Sequence, residues 1–109
     1  MVYSQGDIVE ISFDPSLGHE PQKRRPALVV SDDAFNRMSS LVFLAPITST
    51  MSSYPLHIAL PEDCDVHGAV CVEQIRSLDL SVRKHEKVGS LDSETMAVVL
   101  EAIGAVFRL

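Results

Sequence analysis

Apolar and polar positions along this chain group into short blocks that read as strands until the C-terminal stretch, where the period changes. Ile8-Val9-Glu10-Ile11-Ser12-Phe13 carries β-branched residues with partial alternation and is stopped by Asp14-Pro15, which predicts a first strand. Behind Pro26, Ala27-Leu28-Val29-Val30 reads as a second, buried strand. It ends at Ser31-Asp32-Asp33, which can cap a short helical turn over Ala34 to Met38. Leu41 to Ala45 is a third strand, closed by Pro46-Ile47-Thr48-Ser49-Thr50, and Leu56 to Leu60 alternates as a fourth. Gly68 to Gln74 is a fifth, and a shorter strand lies around Glu86 to Gly89. From Asp92 or Ser93 as N-cap, the residues Met96, Val99, Leu100, Ile103 and Phe107 recur at helical spacing, which predicts an amphipathic C-terminal helix with this stripe in the core. Several strands with irregular turns and one terminal helix predict a mainly β fold with α: a strongly bent antiparallel sheet or small barrel, closed by the helix.

Composition narrows the picture. At 109 residues, with no repeat, low-complexity segment or linker, the chain reads as a single domain over 1–109. A domain of this size buries only about two-thirds of its unfolded surface. Yet 46% of the residues are hydrophobic, and a homodimer face is the simplest outlet for the excess. No apolar run approaches the roughly 20 residues that cross a bilayer, and the N-terminus lacks the basic region and hydrophobic stretch of a signal peptide, so a cytoplasmic protein with no membrane partner is expected. Cys64 and Cys71 fit no disulfide framework. With no CxxC pair, and with His67 between them leaving the set one ligand short, they fit no zinc site either, so free thiols and no metal are expected.

Fifteen acidic residues against nine basic ones give a net charge of −6, which excludes the broadly positive field of most nucleic-acid binders. A local patch is still available, from Lys23-Arg24-Arg25 with Arg37, then Arg76, then Arg83-Lys84 with Lys87. Such a protein would grip a short segment of nucleic acid rather than coat a long one.

The segment Gly18-His19-Glu20-Pro21-Gln22-Lys23-Arg24-Arg25-Pro26 carries the densest chemistry, in a turn-rich loop expected from Asp14 to Arg25. A breaking phosphodiester needs a group that moves a proton near neutral pH and a cation that holds developing charge on the phosphoryl oxygens, and His19, Glu20 and Arg25 are of those types. A solvated surface loop would look the same in residue types alone. Among the other histidines, His57 alternates within a strand and reads as a surface or interface residue, His67 as a turn residue and His85 as a solvated one.

Eight blocks share the order and spacing of one family: Gly6-Asp7-Ile8-Val9, Phe13-Asp14-Pro15, Gly18-His19-Glu20, Arg25-Pro26-Ala27-Leu28-Val29, Ala34-Phe35-Asn36-Arg37, Pro46-Ile47-Thr48, Asp65-Val66-His67-Gly68 and Glu73-Gln74-Ile75-Arg76. Together they resemble the MazF/PemK toxins of bacterial type II toxin–antitoxin systems nearly end to end. Gly-His-Glu and Ala-Phe-Asn-Arg look most like the PemK, Kid and ChpB branch. The resemblance implies a homodimeric, SH3-like barrel toxin (CcdB/PemK-like) that cuts single-stranded RNA at short sequences, needs no cofactor and is neutralised by a cognate MazE/PemI-like antitoxin. Carried over by residue, the family's key arginine falls on Arg25, its key hydroxyl on Thr48, and the loop histidine and glutamate on His19 and Glu20. Lys23, Arg24, Glu73, Gln74 and Arg76 are then the expected RNA-binding residues. In Kid-like members an arginine and an aspartate near the end of the fifth strand are implicated in catalysis, and here those positions read Cys71 and Glu73. Glu73 can act as a carboxylate; Cys71 cannot supply a positive charge.

Cutting RNA without metal uses the 2′-hydroxyl as internal nucleophile and leaves a 2′,3′-cyclic phosphate and a 5′-hydroxyl. Arg25, always charged and forked, suits the phosphoryl oxygens, and Thr48 can donate a neutral hydrogen bond to the same group. His19, of a residue type with an ordinary pKa of about 6.5, is the expected proton carrier and Glu20 the alternative base. Two other functions stay open: the related CcdB toxins share the fold and poison DNA gyrase by binding, and a small barrel can be a plain interaction module. Arg25 and Thr48 together favour the nuclease.

Overall fold

β3, Leu41–Thr48, is the longest strand, and the rest of the sheet is organised on its two edges. The computed structural model describes residues 2–13 and 24–109. Around β3 stand β1 (Asp7–Ser12), β2 (Arg24–Val29), β4 (His57–Ala59), β5 (Ala69–Cys71), β6 (Arg76–Asp79) and β7 (His85–Ser90), with helices α1 (Asp33–Met38) and α2 (Ser93–Phe107). β2 pairs with β3 on one edge, Ala27 opposite Pro46 and Val29 opposite Leu44. The other edge is shared: β6 takes the first half, Leu41 to Leu44, and β5 takes Ile47 and Thr48. β3 therefore runs through Pro46 rather than closing there, because Pro46 falls between these two ladders, where that edge asks for no hydrogen bond.

The described strands run β4-β5-β3-β2-β1-β7, all antiparallel, with β6 beside β3 off this path. The expected bent antiparallel sheet with a C-terminal helix is present, but the sheet is not closed into a barrel: β4 and β7 end the order and do not pair with each other. Alternation along the central strands divides the core in two. Ile8, Leu28, Val30, Ala45, Ile47 and Val70 face one side, where Met96 and Val99 of α2 cover them. Val9, Ile11, Ala27, Val29, Val42 and Leu44 face the other, joined by Tyr3 and Leu78. Of the expected helical stripe, Met96 and Val99 are buried and Ile103 is half-buried, whereas Leu100 and Phe107 are exposed. Asp92 caps α2, its carboxylate accepting from the Thr95 N–H at 2.9 Å.

Three boundaries move in ways that matter for function. Arg24 and Arg25 belong to β2 rather than to the loop before it, because β1 continues the ladder to Ser12 opposite Arg24. Glu73 and Gln74 sit on a 3-10 turn, Val72–Gln74, rather than on the fifth strand. β6 was not foreseen, since Arg76-Ser77-Leu78-Asp79 holds one apolar residue, and that one, Leu78, is buried.

Gly68 locks the site's central strand in place. Its φ of +133° is open to glycine, and a Cβ there would lie 2.2 Å from the Thr48 carbonyl oxygen. Gly68→Ala is expected to push the β5 approach away from Thr48 and to cost at least about 2 kcal/mol of stability. Urea unfolding checks this, and a loss under about 0.5 kcal/mol would show that the close approach is not a constraint.

Candidate functional site

The β2–β3 register brings the two residues singled out for phosphate chemistry together. Ala27 faces Pro46, so continuing the register by two residues sets Arg25 across from Thr48, on one face of the sheet. Both line a cavity of about 590 Å³, which also borders Pro26, His57, Cys71 and Gln74. Pro26 and Pro46 flank the pair and hold the backbone of this floor at fixed φ. Thr48 Oγ1 accepts the Thr50 N–H at 3.1 Å, which consumes no hydroxyl proton, so the O–H can still donate into the cavity.

A second group enters from β4 and β5. In their register His57 stands directly opposite Cys71, and the 3-10 turn that follows β5 returns Glu73 to the same place. His57 Nε2 and Glu73 Oε2 lie 2.8 Å apart, and Gln74 Nε2 donates to the same carboxylate oxygen at 3.3 Å. On the other side of the ring, His57 Nδ1 is 3.3 Å from Ser52 Oγ, and the Tyr54 ring meets the imidazole edge-on at 5.2 Å between centroids. The imidazole is thus oriented from both nitrogens and one edge.

Electrostatics follow from these contacts. Desolvation pushes the Glu73 carboxyl up, but hydrogen bonds from His57, from its own backbone and from Gln74 outweigh it and hold the group below the ordinary carboxylate range. Its bond to His57 therefore persists above that range and is lost only as pH falls through the lowered value. Burial, and then the Glu73 charge, push the Cys71 thiol up, against a smaller opposing bond from the Thr48 backbone. Cys71 is a buried neutral thiol beside the cavity.

The other sequence candidates are placed less centrally. His19, Glu20 and Lys23 lie outside the described residues. Arg24 alternates away from Arg25 and approaches Glu86 at 3.6 Å in an exposed pair. Arg76 stands over the Phe13 ring, 5.7 Å from its centroid, and does not line the cavity. His67 does line it. His85 is half-buried rather than free in solvent, with its Nδ1 2.7 Å from the hydroxyl of the buried Tyr3. Sequence reasoning did not bring His57 into the company of Cys71 and Glu73. Alternation placed it on a strand face, but only the register with β5, invisible in a single sequence, shows which neighbours that face has.

Comparison with known proteins gives the family. Residues 4–107 match the model of the PemK-like, MazF-like toxins of type II toxin–antitoxin systems. The chain is 40% identical to the endoribonuclease toxin ChpB of Escherichia coli K12, over 95% of this chain and 93% of that one. It is 32% identical to the endoribonuclease EndoA of Bacillus subtilis, over 94% and 92%. Among solved structures, MazF from Deinococcus radiodurans superposes with a TM-score of 0.86 at 34% identity, covering 100% of this chain and 99% of that one. A MazE–MazF structure from the same organism also gives 0.86, at 30% identity and 100% and 98% coverage. The chain belongs to the PemK-like, MazF-like toxin family of type II toxin–antitoxin systems.

Proposed function

We propose that this chain is an endoribonuclease toxin that cuts single-stranded RNA at the Arg25–Thr48 cavity. The observation that carries the reading is that Arg25, Thr48 and His57 line one cavity, with Glu73 bonded to the His57 ring. Arg25 holds the phosphoryl oxygens with charge-assisted bonds, and Thr48 adds a neutral one. His57 lines this cavity with Nε2 held on Glu73, so its Nδ1 can take the 2′-hydroxyl proton once that hydroxyl displaces Ser52 Oγ, and can return it to the leaving 5′ oxygen. Glu73 keeps that ring in place and balances its charge when protonated. His19 and Glu20 are the other proton carriers. Gln74 at the cavity and the cations Lys23, Arg24 and Arg76 further out serve RNA binding. The reaction uses no metal, and the products are a 2′,3′-cyclic phosphate and a 5′-hydroxyl. A gyrase-binding or purely adaptor role has less support, because neither needs an arginine, a hydroxyl and an imidazole hydrogen-bonded to a carboxylate around one cavity.

The relatives include a MazE–MazF complex, so a cognate MazE/PemI-like antitoxin is proposed as partner, acting in the bacterial cytoplasm. A homodimer is proposed because 46% of the chain is hydrophobic and Met38, Leu41, Phe43, Val98, Val106 and Phe107 are left exposed on the single chain.

Incubation with single-stranded RNA in EDTA is expected to give discrete fragments with cyclic-phosphate ends; intact RNA would overturn the nuclease reading. Arg25→Ala is expected to lower cleavage by about 10² or more while binding of a 2′-deoxy analogue weakens much less, and Thr48→Ala should act more mildly in the same direction. His57→Ala should lower the rate by about 10² and flatten the limb of the pH–rate profile near neutrality. If His57→Ala keeps that limb and His19→Ala removes it, the proton carrier is His19 instead. Sedimentation at micromolar concentration should show a species of twice the 11.9 kDa chain mass, and a species at the chain mass alone would exclude the dimer.

A further inference from the structure

Among the described residues, one trio brings a nitrogen, a sulfur and an oxygen donor together: the donor atoms of His57, Cys71 and Glu73 all lie within 4.8 Å of one another. The spacing Cys64, His67, Cys71, with no CxxC pair, gave no reason to expect a metal; three protein donors hold zinc only where they converge and leave the fourth position to water. The fold assembles a different set, with His57 cross-strand from Cys71 and Glu73 returned by the turn after β5. We propose that His57, Cys71 and Glu73 form a zinc-binding site that switches the nuclease off when loaded.

The donor chemistry selects the metal class. Thiolate, imidazole and carboxylate together suit a borderline-soft ion such as Zn²⁺, whereas Mg²⁺ and Ca²⁺ take oxygen ligands. Tetrahedral zinc, with bonds of about 2.0 to 2.3 Å, needs donors roughly 3.3 to 3.7 Å apart. The His57–Glu73 contact at 2.8 Å would open slightly and the sulfur would close in, movements within the reach of side-chain rotation. Cys71 is 3% exposed, so its bond to the ion would be shielded from water. Binding converts the neutral thiol to thiolate and releases its proton to solvent, as the ion takes over the charge balance with Glu73.

Inhibition follows from which groups the ion would occupy. Zinc on the imidazole takes a lone pair that His57 needs to accept a proton, and zinc on Glu73 removes the carboxylate that balances the imidazolium. This consequence rests on the reading that His57 moves a proton in RNA cleavage. The metal site itself does not.

Titration of the metal-free protein with cobalt(II), then zinc, separates the two. One equivalent of cobalt per chain is expected to give a thiolate-to-cobalt charge-transfer band, displaced by zinc. The band should persist in Cys64→Ser, which removes the other thiol and leaves the trio untouched, and disappear in Cys71→Ser. Saturating zinc should slow cleavage by the wild type by about 10² or more, with EDTA restoring it. Absence of the band from wild type and Cys64→Ser, or its survival in Cys71→Ser, would overturn the site. Zinc that binds through Cys71 yet leaves the rate unchanged or raises it would overturn the inhibitory role. A chain with the Cys71-dependent band that cuts no RNA even in EDTA would uphold the site and sink the nuclease reading.

Discussion

A slip of one residue between β2 and β3 would turn Thr48 to the opposite face of the sheet, away from Arg25, and would drive Ala45 and Ile47 out of the core that α2 covers. The same slip would bury the side chains that now line the cavity. The register is held by both faces at once, because alternate residues of β1, β2 and β3 feed two separate apolar clusters. It is also held from the side, where Gly68 lets β5 approach the Thr48 carbonyl more closely than any residue with a Cβ would allow. The position of the two phosphate-binding candidates is thus a by-product of core packing, and little extra structure is required to orient them.

The acidic balance of the chain bears on what such a site can do. With a net charge of −6, there is no long-range field to draw RNA onto the surface, and affinity must come from a few cations at short range. Arg25 is the cation lining the described cavity, whereas Arg24 is turned toward Glu86 and Arg76 toward Phe13. A carboxylate sits close by as well, Glu73, held ionised by its hydrogen bonds. Under the proposed reading, an RNA phosphate in this cavity would meet Arg25 beside an imidazole hydrogen-bonded to Glu73, an arrangement better suited to a reacting phosphodiester than to a stretch of bound backbone.

Much of the architecture was legible in the chain. The strands around Ile8, Leu28 and Val42 and the helix capped by Asp92 follow from β-branched runs, alternation and a change of period, all local signals. Arg25 and Thr48 were singled out through the family blocks that contain them, and the fold brings both to one cavity. What local signals could not carry was pairing. Pro46 looked like a strand end until the two ladders on either side of it were known. His57 looked like a bystander until its strand was laid against Cys71, and the donor trio with Glu73 depends on residues up to sixteen positions apart meeting through that register. Strand count and turn pattern left a bent sheet and a small barrel both open; the described strands form the open sheet, with β4 and β7 at its ends.

The most direct measurement is a crystal structure of the protein with a short single-stranded RNA carrying a 2′-deoxy substitution at the cleaved position, identified from fragment ends. The expected result is a scissile phosphate within hydrogen-bond distance of the Arg25 guanidinium and Thr48 Oγ1, with the 2′ position of the preceding ribose toward His57. An RNA bound elsewhere, with its cleaved phosphate remote from Arg25 and Thr48, would contradict the assignment of this cavity as the catalytic site.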